Sequence, residues 1–303
     1  MSLPLRVRVA LFAAAAALAL LPLSGDRFWV QFAGKTMISC IFAVSLDLLV
    51  GYGGMVSLAH AAFFGLAGYL LAGLTNGLGI SSFFATLPLC LAGVALCALA
   101  IGWLSLRTSG AYFVMVTLAF TEMLFHVFNE APGLGGSDGI YVSSRPFAGR
   151  TAPYFAIWIA LVLVFLFLQR AVQAPFGRVL VGIRINEPRM RTLGYRTRRY
   201  KLAAFVIGGA IAGLSGYLDA ALYGFVNPAE LGWKQSGLVL VTVLLGGKAT
   251  LYGPMLGALL LALLEHFAER VTAYWSAAIG AVAVAAVLFV PSGLAGLLRG
   301  KSG

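Results

Sequence analysis

The sequence predicts an all-α polytopic membrane protein of about ten transmembrane helices, and its composition, its apolar runs and the placement of its positive charges each point there. Of 303 residues, 61% are hydrophobic and only 10% charged, with a mean hydropathy of +0.95. That leaves too little polar surface to cover a water-soluble globule. Ten apolar runs approach the roughly 20 residues a helix needs to cross the hydrocarbon core, where only closed hydrogen-bonding structures survive. Between Gln169 and Tyr200 stand eight arginines and a single acid, Glu187, the mark of a cytoplasmic connection.

The expected spans are 7–24, 33–50, 56–75, 82–104, 110–128, 153–170, 201–223, 235–247, 253–269 and 274–298. The eighth is short for a full crossing and ends at Gly246 and Gly247, so a partial or broken helix is expected there. At the start of the chain, Arg6 and Arg8 before the apolar run Val9 to Leu23 resemble a secretory signal, but Leu23-Ser24-Gly25 offers no small-x-small cleavage site. An uncleaved first span is the expectation. Placing the arginine-rich connection inside puts 15 of the 21 Lys and Arg inside and 6 outside, with both termini in the cytoplasm. Trp29, Trp103, Trp158, Trp233 and Trp275 all fall near expected span ends, where an indole meets headgroup and chain together. The chain reads as one transmembrane domain, 1–303, with a cytoplasmic segment at 171–200.

Within this frame a few residues carry chemistry. In Gly51-Tyr52-Gly53-Gly54-Met55-Val56-Ser57-Leu58-Ala59-His60 a glycine break leads to one histidine. An imidazole facing lipid is costly, so His60 is expected either to donate between helices or to line a pathway. The pattern GG-x-x-[ST]-L recurs at Gly53 to Leu58 and Gly246 to Leu251. Paired glycine breaks in two halves of a transporter point to a midplane pathway. Gly53, Gly54, Ser57, His60, Thr117, Glu122, Gly246 and Gly247 are therefore the pathway candidates. Glu122, Asp219 and Asp47 are acids read near span ends, where interfacial solvation or a polar lining would each account for them. The outer run Gly133-Leu134-Gly135-Gly136-Ser137-Asp138-Gly139 is expected to form turns rather than a core. Gly135, Gly136, Ser137, Asp138, Glu230 and Lys234 are candidates for contact with a docking partner.

The segment Pro175 to Tyr195 is the most informative. Val179, Leu180, Ile183 and Ile185 give a partly amphipathic turn, Asn186 can cap a second short helix with Pro188 in its first turn, and Gly194 stands where that helix should stop. Such a basic segment would lie on anionic headgroups or meet a soluble partner.

Other classes fit less well. The net charge of +11 sits at the ends of apolar runs rather than along one face, which argues against nucleic acid. Cys40, Cys90 and Cys97 lie inside apolar runs without metal-ligand spacing, so no metal site is expected. Gly213-Leu214-Ser215-Gly216 with His266 farther along could in principle supply a rhomboid-like intramembrane serine protease, although small residues around a serine more often serve helix packing. An ion-driven secondary transporter is the runner-up, and it should show paired acids at mid-span.

Long stretches in the right order resemble the permeases of branched-chain amino acid ABC importers, specifically the M-type member of the permease pair: GYGGMVSLAHAAFFGLAGYL, RTSGAYFVMVTLAFTEML, GLGGSDGI, PFGRVLVGIRINEPRMRTLGYRTRRYKLAAFVIGGAIAGLSG and GFVNPAELGWKQSGLVLVTVLLGGKATLYGPMLGALLL. The resemblance implies a type II ABC importer-like permease fold in a bacterial inner membrane. It also implies an H-type permease partner, two cytoplasmic ABC ATPases and a periplasmic solute-binding protein, with the lipid bilayer around them. It places Arg184, Glu187, Arg189, Arg191 and Gly194 in the ATPase-coupling segment, and Ser57 and His60 at a glycine-rich helix start. The chain carries no phosphate-binding Gly-Lys-Ser/Thr loop. No cofactor of its own and no enzymatic activity are expected, ATP and Mg being held by the partners. The family pattern has a second glycine where Ala59 stands and a neutral residue where Lys248 stands. Both departures bear on the substrate rather than the fold.

Overall fold

Apolar runs become helices almost one for one. The structure, a computed structural model, describes residues 5–24, 26–143, 146–147, 151–271, 277, 280–281, 284 and 293–298. In chain order the helices are α1 (Leu5–Leu20), α2 (Arg27–Asp47), α3 (His60–Gly77), α4 (Phe83–Ser105), α5 (Ala111–Asn129), α6 (Ala152–Gln173), α7 (Pro175–Ile185), α8 (Glu187–Thr192), α9 (Thr197–Tyr223), α10 (Trp233–Gly246) and α11 (Tyr252–Val271), followed by a short helix at Gly293–Leu298. A π-turn at Leu48–Tyr52 extends α2. Most of the tenth expected span, 274–298, lies outside the described residues.

Boundaries agree with the expected spans to within four residues except at α2, which starts six residues early, at Arg27. Among the described residues, five helices, at Arg27–Tyr52, Phe83–Ser105, Ala111–Asn129, Ala152–Gln173 and Thr197–Tyr223, are long and apolar enough to cross a bilayer. α10 has 14 residues. At 1.5 Å per residue it spans about 21 Å, short of the roughly 30 Å core, as its length in the sequence requires.

Burial separates the helices into a centre and a rim. The apolar window of α2 is 89% buried and that of α9 61%, against 28% for α4 and 17% each for α5 and α6. α9 packs so closely on α3 that a side chain at Gly216 would collide with the Phe64 carbonyl, and so closely on the π-turn of α2 that one at Gly208 would lie 2.5 Å from Leu49. Small residues give this backbone approach because lipid supplies no hydrophobic drive between helices, leaving van der Waals contact to do the work. Ser215 belongs to the same stripe and donates to the Ala212 carbonyl at 2.6 Å. His266 instead sits among the rings of Phe28 and Phe32, 5.0 and 5.8 Å away between centroids. The two do not form a catalytic pair.

One small departure from the all-helical expectation lies at the end opposite α7 and α8. Strands β1 (Ile140–Tyr141) and β2 (Phe225–Val226) pair antiparallel, Ile140 with Val226 and Tyr141 with Phe225. Asn76 adds a second tie, donating to the Tyr141 carbonyl at 2.7 Å and accepting from the Ser143 amide at 2.8 Å. The glycine-rich connection is thus fastened to α3 and α9.

Candidate functional site

Between the π-turn of α2, whose last bond runs from the Gly53 amide to the Leu48 carbonyl, and the first turn of α3 at Ala59, the helical ladder is interrupted in the middle of a packed bundle, and that backbone needs partners. Neighbouring hydroxyls provide them. The Leu58 carbonyl accepts from Ser236 Oγ at 2.5 Å and from Thr121 Oγ1 at 2.8 Å, while its amide donates to Thr117 Oγ1 at 3.2 Å. Ser236 Oγ also accepts from the Ala61 amide at 2.9 Å, and Ser57 Oγ from the Ala59 amide at 3.2 Å. Ser57, Thr117, Thr121 and Ser236 are all fully buried. One broken strand of backbone is therefore held from two sides, by α5 and by α10.

His60 opens α3 directly after this junction. It is fully buried, packed edge-on to Phe63 and Phe205, and neither ring nitrogen has a hydrogen-bond partner among the described residues. A buried polar group without a partner costs about 1–3 kcal/mol. The expected interhelical donor role is not filled among the described residues. Glu122 lies two-thirds of the way along α5, and its Oε1 accepts from the Trp233 amide at 3.3 Å. A carboxylate at the first amide of α10 complements the positive end of that helix, a task that neither sequence reading of Glu122, interfacial solvation or a polar lining, had specified.

The other pathway candidates gather elsewhere. Gly53 and Gly54 follow the π-turn of α2, and Gly246 and Gly247 end α10. Between these two breaks sits Asp47, fully buried, accepting from the Ala249 amide at 2.7 Å and the Leu251 amide at 3.4 Å. Of the two readings offered for Asp47 from sequence, that burial sets aside interfacial solvation. The eight candidates thus divide into a hydroxyl junction with Ser57, His60, Thr117 and Glu122, and a second node holding all four glycines. Thr121, Ser236 and Asp47 were missed as site residues, because single polar residues inside apolar runs show no pattern until the helices are assembled.

The basic segment folds as read. Asn186 caps α8 by accepting from the Arg189 amide at 3.0 Å, Pro188 sits in the first turn, and Gly194 ends the helix with φ +87. Glu187 Oε1 accepts from Arg191 Nη2 at 2.7 Å and from Thr197 Oγ1 at 3.0 Å, and Oε2 pairs with Lys201. Burial alone would raise the Glu187 pKa, but hydrogen bonds from Lys201 and Arg191, the Lys201 charge and the Thr197 hydroxyl outweigh it and hold the carboxyl below the usual glutamate range. The turn is less regular on its apolar side. Val179, Leu180 and Ile183 are buried as expected, whereas Ile185 is 79% exposed and Leu193 64%. Arg189 is exposed, and Arg184 reaches back to donate to the Gly51 carbonyl.

At the opposite end Gly135 and Gly136 take positive φ, 89 and 54, in two short turns, and Ser137 donates to Asp138 at 3.4 Å on the surface. Glu230 sits half-buried in a turn at Pro228–Leu231, close enough to Asp219 for their charges to interact, while Lys234 is exposed.

Residues 28–290 match the family model described as the branched-chain amino acid transport system permease component. The chain belongs to that family. It is 30% identical over 308 residues to the high-affinity branched-chain amino acid transport system permease protein LivM of Escherichia coli, covering 92% of this chain and 72% of that one. To the LivH permease of the same system in Salmonella typhi it is 24% identical, covering 88% and 94%. Over a shorter stretch, 43% of this chain and 40% of the relative, it is 30% identical to the autoinducer 2 import system permease protein LsrC of Salmonella paratyphi A. No solved structure matches the chain. Family and fold agree on a helical, multi-pass membrane permease, and the permease family leaves no room for the protease reading of Ser215. The two departures from the family pattern sit comfortably: Ala59 has φ −83, which needs no glycine, and Lys248 is exposed.

Proposed function

We propose that this permease is one of two transmembrane subunits of an ATP-driven importer in the bacterial inner membrane, moving branched-chain amino acids or related small polar solutes from a periplasmic binding protein to the cytoplasm by alternating access. The α7–α8 end faces the cytoplasm, and both termini lie on that side. The observation that carries the reading is the pair of bared apolar tips, Ile185 and Leu193, on a segment stiffened by Glu187 and set among arginines. Bared apolar tips on a charged segment support a protein contact there, and we assign that contact to an ATPase subunit. A second permease of the H type completes the membrane part, and two ATPases hold ATP and Mg. The binding protein docks on the opposite end, at Gly135, Gly136, Ser137, Asp138, Glu230 and Lys234. Substrate passes the hydroxyl junction at Leu58 and the imidazole of His60.

The test is uptake of labelled leucine into proteoliposomes holding the chain with the products of its neighbouring genes. Uptake that requires ATP and the binding protein supports the reading. Uptake driven by an ion gradient without ATP would overturn it in favour of a secondary transporter.

A further inference from the structure

Two breaks in the helical ladder, distant in sequence, meet at one carboxylate. Asp47 lies at the end of α2, and its two oxygens take the amides of Ala249 and Leu251. Those are the two non-glycine residues with positive φ among the described residues, 62 and 51. Side chains in that region carry a steric cost, so the turn between α10 and α11 holds a strained form that the two hydrogen bonds to Asp47 help maintain. Thr250 closes the turn on itself, donating to the Gly247 carbonyl at 2.7 Å and accepting from the Gly253 amide at 3.1 Å.

The same carboxylate is fitted to the first break. A side chain at Gly51 would collide with Asp47 Oδ1 and lie 2.5 Å from the Ala249 amide nitrogen, so only glycine lets the three come together. On the other side of that backbone stands α7. Arg184 donates to the Gly51 carbonyl, its charge acts on Asp47, and a side chain at Gly54 would lie 2.8 Å from Arg184 Cγ. Arg184 thus ties the basic segment to the backbone of the first break.

We propose that Asp47 is a positioning residue that joins the two glycine breaks into one switch, and that Arg184 on α7 operates it. The idea rests on the importer reading above. When α7 is displaced by its partner, Arg184 moves the Gly51 carbonyl, the shift carries Asp47 with it, and the Ala249–Leu251 turn is released from its strained form. The two halves of the repeated GG-x-x-[ST]-L pattern then change together rather than separately.

The experiment uses the assembled transporter with Cys40, Cys90 and Cys97 replaced by Ala and a reporter, Lys248→Cys, on the exposed residue of the turn. Labelling by a membrane-impermeant maleimide is followed with and without a non-hydrolysable ATP analogue, together with leucine uptake per ATP hydrolysed. In the reporter background, nucleotide should change the labelling rate at least about fivefold, the lower end of ordinary site-to-site coupling. Arg184→Ala and Asp47→Asn should each abolish that response and lower uptake per ATP about tenfold, and the double variant should be no worse than either, as expected of residues that act through one contact. Arg184→Lys, which keeps a donor for the Gly51 carbonyl, should restore part of the response. A merely structural role would lower the yield of assembled transporter and leave both ratios intact, and that result would overturn the proposal. Should Asp47→Asn fail to assemble, the two Arg184 variants decide it alone. If the unsubstituted complex takes up leucine only with ATP while the variants respond as it does, the switch falls and the importer reading stands. If it shows no ATP-dependent uptake, both fall.

Discussion

Three donors converge on one carboxylate at Glu187, and that convergence makes it the firmest point of the basic segment. Reversing its sign should break the tie to Lys201 and free α8, so Glu187→Arg is predicted to uncouple ATP hydrolysis from uptake in proteoliposomes. Uptake equal to that of the parent would sink this assignment. The pH dependence has a definite sign. Because the folded pKa is held down, the stabilisation is present above the unfolded value of about 4.3 and fades as pH falls through the lower folded value. The melting difference between the parent and Glu187→Gln should therefore persist at pH 5 and close only in stronger acid. His60 offers the reverse trade. Removing a buried imidazole that has no partner among the described residues should cost little or even stabilise, by up to about 1–3 kcal/mol, so His60→Leu is predicted to melt no lower than the parent while transport falls about tenfold or more. A large loss of stability would show that His60 is a structural residue.

Helices behave as their residues dictate, and the breaks between them matter as much. The junction at Leu58 depends on hydroxyls from α5 and α10, so Thr121→Val with Ser236→Ala leaves the Leu58 carbonyl without either donor. That double variant should lower stability by about 1–3 kcal/mol in detergent, against a near-neutral Ser215→Ala, whose hydroxyl serves only its own helix. Spans were legible in the sequence because hydropathy, glycine position and tryptophan placement agree. Asn186, Pro188 and Gly194 announced their helix in the same way, since caps and stops are local chemistry. Long-range partners were not legible: Ser236 lies 178 residues from Leu58, and Asp47 lies 202 from Ala249. Nothing in the run around Asp47 tells a carboxylate bound to a distant backbone from one dissolved in headgroups. The exposed Ile185 shows the same limit, because an apolar residue on a short helix faces the core only if the neighbouring turns are there to cover it.

On the scale of the whole molecule, α2, α3 and α9 form a packed centre, while α4, α5 and α6 present largely bare apolar faces to lipid or a partner subunit. The basic segment stands at one end of this bundle, joined through Arg184 to the inner breaks, and the glycine-rich connection is tied down at the other by β1 and β2. The proposed function requires such a polarity, with force applied at one face and substrate delivered at the other. A single cysteine at Leu193, with the native cysteines removed, tests it in one step. In inverted membrane vesicles it should react with an impermeant maleimide and, with a short bifunctional reagent, cross-link to a co-expressed ATPase subunit. Labelling from the periplasmic side of intact cells, with no cross-link to any ATPase, would contradict it.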